Sequence, residues 1–135
     1  MANVPENVVS LLEGGHTFWV ATVGADGWPN IAIKGSGAIA DSEHIYFADL
    51  FSKKTRANLE HNPIVAVGIF DKDSHVAVQV KGHAKLSESG DLYDTVAGRI
   101  ATKMPHLPAP KYVVEITVES VWEMNAGPSA GDKIS

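Results

Sequence analysis

The sequence predicts a mainly β domain, an antiparallel barrel with peripheral helices, on a chain of 135 residues. Short β-prone runs follow one another across turn residues, which is how antiparallel strands connect. Helical spacing is confined to segments near 5–13, 53–62 and 90–104, which leaves the helices peripheral. A chain of this length buries roughly two-thirds of its unfolded surface in one core. With 44% hydrophobic and 20% charged residues it has ordinary globular composition. No repeat, linker or low-complexity tract divides it, so residues 1–135 are expected to form one domain with a tail over about 125–135.

Taken in order, Asn3, Pro5 and Glu6 open a capped amphipathic helix that carries Val8, Val9, Leu11 and Leu12 and closes at Gly14 and Gly15. Residues 17–23 form the first strand, ended by the turn residues Gly24, Ala25, Asp26 and Gly27. A second strand is expected over 30–39, beginning at Ile31, Ala32 and Ile33. It becomes small through Gly35, Ser36, Gly37 and Ala38, where another group can approach the backbone. Asp41, Ser42 and Glu43 turn the chain into a third strand at 44–48. After a short helix, residues 64–70 are the most apolar run and are placed centrally as the fourth strand. The fifth strand, 76–86, contains Gly82, which suggests a bulge or bend. Ser89 is the expected cap of a helix from about Gly90 to Met104 with Leu92, Val96, Ile100 and Met104 on one face. Pro105, Pro108 and Pro110 break it, and 112–124 returns to β character.

The short helix after the third strand carries the most unusual charge pattern. Ser52 is its expected N-cap, and Asn62 followed by Pro63 stops it. Lys53, Lys54 and Arg56 crowd the first turn, where the helix dipole is already positive and each cation costs roughly a few tenths of a kcal/mol. A bound anion reverses that sign, because backbone N–H groups, the Ser52 and Thr55 hydroxyls and the cations would converge on one phosphate. The alternative is a solvated basic turn.

Composition removes several function classes. A formal net charge of −5 argues against nonspecific binding to nucleic acid or to anionic membranes. The absence of cysteine excludes disulfides, thiolate metal sites and thiol catalysis, and fits a reducing compartment. No apolar run has membrane-spanning length and no secretion-signal pattern opens the chain, so the cytoplasm is the expected location. His16, His44, His61, His75, His83 and His106 are dispersed without metal-ligand spacing. Ser36 lacks the flanking pattern of a nucleophile elbow, and Gly24 and Gly27 open no helix, so neither a serine hydrolase nor a dinucleotide loop is indicated.

The order of these elements resembles the pyridoxamine 5′-phosphate oxidase-like family, the FMN-binding split barrels, and in particular its small flavin-nucleotide-binding members. The resemblance spans roughly residues 8–122. It is strongest where the third strand runs into Ser52, Lys53, Lys54 and Thr55, then Asn58, Leu59, Asn62 and Pro63 before another apolar strand. It implies FMN at a homodimer interface, with Ser52, Lys53, Lys54 and Thr55 on the phosphate. Lys34, Gly35 and Ser36, together with Phe47 and Ala48, would border the ring or ribityl chain, and Gln79 would contact it from the fifth strand. Oxidases of pyridoxamine phosphate carry an aromatic and basic C-terminal segment, whereas residues 125–131 here are Asn, Ala, Gly, Pro, Ser, Ala and Gly. The resemblance therefore implies an FMN-dependent oxidoreductase acting on a small redox substrate, or a noncatalytic carrier serving an electron-transfer partner. The family also includes flavin-free barrels, haem-handling proteins and deazaflavin users. No residue is assigned a catalytic role and no metal is expected. Homodimerisation has a second motive in the sequence: Trp19, Trp28 and Trp122 and several apolar strands exceed what three helices can cover.

Overall fold

The computed structural model describes residues 2–135. Helix α1 is Glu6–Glu13, followed by strands β1 Phe18–Val23, β2 Pro29–Lys34, β3 Ala38–Asp41 and β4 His44–Asp49. Helix α2 is Lys54–His61, then come β5 Ile64–Asp71, β6 Val76–Ser87, helix α3 Asp91–Lys103 and β7 Tyr112–Glu123. All the paired strands are antiparallel and form one seven-stranded sheet in the order β2-β1-β5-β6-β7-β4-β3.

That order corrects the expectation of one strand over 30–39. Gly35, Ser36 and Gly37 break it into β2 and β3, which lie at opposite edges of the sheet. Consecutive strands at opposite edges require the sheet to curl until its edges meet. The chain itself crosses the seam at Gly35, Ser36 and Gly37, and Ser36 ties this crossing to β4: its Oγ accepts from the Ala48 N–H and donates to the Ala48 carbonyl, each at 3.0 Å. Gly37 has to be glycine here, since a Cβ would collide with the Phe18 ring. The result is the split barrel.

Alternation fills the interior. Phe18 and Val20 of β1, Val65, Val67 and Ile69 of β5, Val78 and Val80 of β6, and Val114, Ile116 and Val118 of β7 are buried in one cluster. Each such side chain contributes roughly 1.5–3 kcal/mol through burial. Val8, Leu11 and Leu12, at i, i+3 and i+4 on α1, close one end of it. A second cluster forms under α3, where Val96 and Ile100 pack on Tyr46, Ala48 and Val113. β4 is thus buried on both faces, with Ile45 and Phe47 inward and Tyr46 and Ala48 under the helix.

The expected caps are replaced. Pro5 precedes α1, Lys53 holds the N-cap position of α2 and Gly90 that of α3, none with a side-chain cap bond. Asn3, Ser52 and Ser89 therefore do not act as caps. Gly82 does sit at a register shift between β6 and β7, where a Cβ would strike the Thr117 carbonyl. The tail folds back along β7: the Ile134 N–H donates to the Val121 carbonyl at 2.7 Å, and Lys133 bridges Trp122. Among the described residues no helix is long and apolar enough to cross a membrane.

Candidate functional site

β4 ends in Asp49, a carboxylate only 1% exposed. It accepts from the Tyr112 hydroxyl at 2.6 Å and from the Ser52 backbone N–H at 2.8 Å, and Lys34 Nζ lies 3.3 Å away. A buried carboxylate is tolerated when such donors and a countercharge surround it. Burial, aided by the bond to Asp49, pushes the Tyr112 hydroxyl far above its ordinary 10.0, so it stays a neutral donor. The turn that leads into α2 is thereby fixed to the strand before it, and Lys34 is fixed to the same point. One consequence departs from the sequence expectation: the Ser52 N–H is already used.

The cations of the turn are also largely engaged. Lys54 Nζ lies 2.9 Å from Asp26 Oδ2 on the β1–β2 turn. Arg56 pairs with Glu60 at 2.8 Å and Glu88 at 3.0 Å, and its guanidinium lies 5.0 Å from the Tyr112 ring centroid. The bond to Glu60 holds the Arg56 guanidinium above its ordinary range. Lys53 is exposed and belongs to no ion pair among the described residues.

Beside the turn lies a cavity of about 310 Å³. Lys34, Gly35 and Ser36 give it a polar edge, Ala48 a floor, and Leu50, Phe51, Met104 and Leu107 apolar walls. A second cavity of about 350 Å³ shares Gly35, Ser36, Ile100 and Met104 and adds the charged Glu13, Arg99 and Lys103. Arg99 donates to the Ser36 carbonyl at 3.0 Å and lies 5.3 Å from the Tyr46 ring centroid, which ties α3 to the seam.

The sequence candidates divide accordingly. Lys34, Gly35, Ser36 and Ala48 meet in one cavity, and Ser52 and Lys53 follow its Leu50–Phe51 wall along the chain. Phe47 does not border it: its ring is inside the barrel, because alternation turns it away from Ala48. Thr55 is buried at the base of α2, and Lys54 is paired with Asp26. Gln79 is remote along the sheet, in the outward row formed by Ile33, Trp19, Gly68, Gln79 and Trp122 on successive strands. Sequence reading assigns no site role to Asp49, Leu50 or Phe51, and it takes Asp26 only as a turn residue and Met104 only as part of a helix face. A lone Asp ending an apolar strand was the available signal for Asp49; Asp26 reads locally as a turn residue, and nothing local points to its partner, 28 positions away.

Residues 4–125 match the model of the pyridoxamine 5′-phosphate oxidase family. A protein of Methanocaldococcus jannaschii described as uncharacterized is 30% identical over the whole of this chain and 90% of its own length. The crystal structure of HupZ from Group A Streptococcus superposes with a TM-score of 0.82 at 25% identity, covering 95% of this chain and 99% of that one. A putative pyridoxamine 5′-phosphate oxidase from Lactobacillus delbrueckii superposes with a TM-score of 0.71 at 28% identity, covering 89% and 93%. With the split barrel, its seam and the strand-to-helix turn all in place, the family match over nearly the full chain is decisive: this chain belongs to the pyridoxamine 5′-phosphate oxidase family.

Proposed function

We propose that the protein is an FMN-binding oxidoreductase that works as a homodimer. The observation that carries this reading is the continuity of the Lys34–Ser36 cavity with the Ser52–Lys53 turn. Its residues fit the group: apolar walls suit an aromatic ring, Lys34 and Ser36 suit polar ring edges, and the exposed Lys53 suits a phosphate. FMN, when bound, supplies electron or hydride transfer and needs no protein nucleophile. The chain's own part is to bind and orient. Leu50, Phe51, Met104 and Leu107 exclude water, Asp49 holds Lys34 in place, and Ser36 keeps the seam beneath the ring closed.

The exposed apolar face next to the cavity supports the homodimer reading. Ile33 lines the cavity and also belongs to the outward face of β2, β1 and β5, where Trp19 is 49%, Ile31 67%, Ile33 59% and Ile64 60% exposed. A standard interface buries about 1,600 Å², and a contiguous apolar sheet face is the kind of surface it needs. A second copy on that face would cover the open side of the cavity, so flavin and partner would each strengthen the binding of the other.

Titration of apo-protein with FMN, riboflavin and FAD tests the ligand, with FMN expected to bind most tightly. Equal affinity for riboflavin removes the proposed role of the turn. The visible spectrum of the purified protein separates flavin from haem and deazaflavin. Turnover of NADH or NADPH with artificial acceptors by the FMN-loaded protein separates an enzyme from a carrier, for which no steady-state oxidation is expected.

A further inference from the structure

Lys54, offered by the sequence as a phosphate ligand, is occupied by a carboxylate from another element. Asp26 Oδ2 lies 2.9 Å from its ammonium, while Asp26 Oδ1 accepts from the Trp28 N–H at 3.1 Å, which fixes the carboxylate on the β1–β2 turn. The hydrogen bond from Lys54, then that from Trp28, hold the Asp26 carboxyl below its ordinary range, so it is ionised at neutral pH. Both partners are about half exposed, at 51% and 46%, so solvent and a competing anion can reach the pair. Asp49 and Glu60 differ from Asp26 in this respect. Asp49 is buried with its donors, and Glu60 is on the same helix as Arg56. Of the carboxylates around the turn, Asp26 alone couples a cation of the first turn of α2 to the β1–β2 hairpin.

We infer that Asp26 acts as an internal counter-anion that competes with a ligand phosphate for Lys54, and so sets which anions the turn accepts. The inference rests on the FMN reading above. A weakly interacting monoanion cannot displace a tethered carboxylate from an ammonium group, whereas a phosphate dianion brings more charge and more acceptor oxygens to the same donor. Asp26 thus raises the threshold for anions in general while leaving phosphate monoesters able to bind. Ligand entry would release Lys54 from the hairpin and loosen the β1–β2 turn from α2.

The test is Asp26→Asn, which removes the charge but keeps an oxygen acceptor for the Trp28 N–H. FMN and riboflavin are titrated into wild type and variant by flavin fluorescence. FMN is expected to bind about two- to fivefold more tightly to the variant, the scale of one exposed ion pair, with riboflavin unchanged. Unchanged or weaker FMN binding overturns the inference and assigns Asp26 to holding Lys54 in place; an equal gain for riboflavin overturns it too, because the phosphate is then not involved. If neither protein binds FMN, the FMN reading itself falls and this inference falls with it. A failure confined to the variant leaves that reading intact.

Discussion

A tyrosine buried against a carboxylate leaves a signature in the alkaline range. Tyr112 is neutral in the fold and its folded pKa is raised above the unfolded 10.0, so its contribution is fully present below that value and lost as pH rises beyond it. Tyr112→Phe should therefore reduce the alkaline decline. At neutral pH the same change should cost about 1.5–3 kcal/mol, the scale of a hydrogen bond to a charged group. Urea midpoints of both proteins between about pH 8 and 11 measure the two effects together; parallel curves across that range would count against the ionisation account. The phosphate assignment is tested at the same scale. Replacing Lys53 and Lys54 together by Ala should weaken FMN about ten- to a hundredfold while leaving riboflavin affinity and the thermal midpoint nearly unchanged. Retained FMN affinity would sink the assignment. Part of this geometry was legible in the residues: the small run Gly35, Ser36 and Gly37 marked a place where another group can approach the backbone, and the 52–56 charges marked a basic turn. The pairings were not, because Asp26 and Lys54 are 28 positions apart, and Asp49 and Tyr112 are 63 apart. Phe47 shows a further limit, since alternation could be counted along β4 but which parity faced the barrel interior depended on α3 covering the other face.

At the scale of elements, glycine positions separate tight packing from open surface. Gly82 lies at the β6–β7 irregularity against the Thr117 carbonyl, and Gly82→Ala should destabilise by about 1–3 kcal/mol through overpacking. Gly98, within α3, has nothing within 4 Å of a built Cβ. Gly98→Ala should stabilise by about 0.8–1 kcal/mol, the helix propensity difference. Denaturation midpoints of the two variants should move in opposite directions, and a shared direction would refute at least one of these local descriptions. The helices and most strands were readable because their apolar periods are unambiguous, as with Val8, Leu11 and Leu12 on α1. The split of residues 30–39 was not, because Gly35, Ser36 and Gly37 are compatible with both a bent strand and a break. Only the closure of the sheet decides between them. Cap residues misled for a related reason: the Ser52 N–H is satisfied by Asp49, and the exposed start of α2 can be hydrated without a side-chain cap.

For the molecule as a whole, the exposed apolar face of β2, β1 and β5 is a feature that the barrel itself does not explain. Trp19→Glu combined with Ile33→Glu should convert a dimer to monomer in sedimentation equilibrium and lower FMN affinity in parallel, since Ile33 belongs to both the face and the cavity. A wild-type monomer that keeps stoichiometric FMN on dilution would show that one chain builds the complete site. The seam at Ser36 also has a kinetic meaning. Ser36 continues the β3–β4 register past the end of β3, where only a side-chain hydroxyl and no backbone ladder holds the Ala48 peptide, so this contact is set to open before the paired interior of the sheet. The Ala48 amide, whose acceptor is a single hydroxyl across that junction, becomes a reporter of breathing: its deuterium uptake should be fast beside that of the β5 and β6 amides, and it should slow when a ligand lies across Lys34 and Ala48 like a stitch.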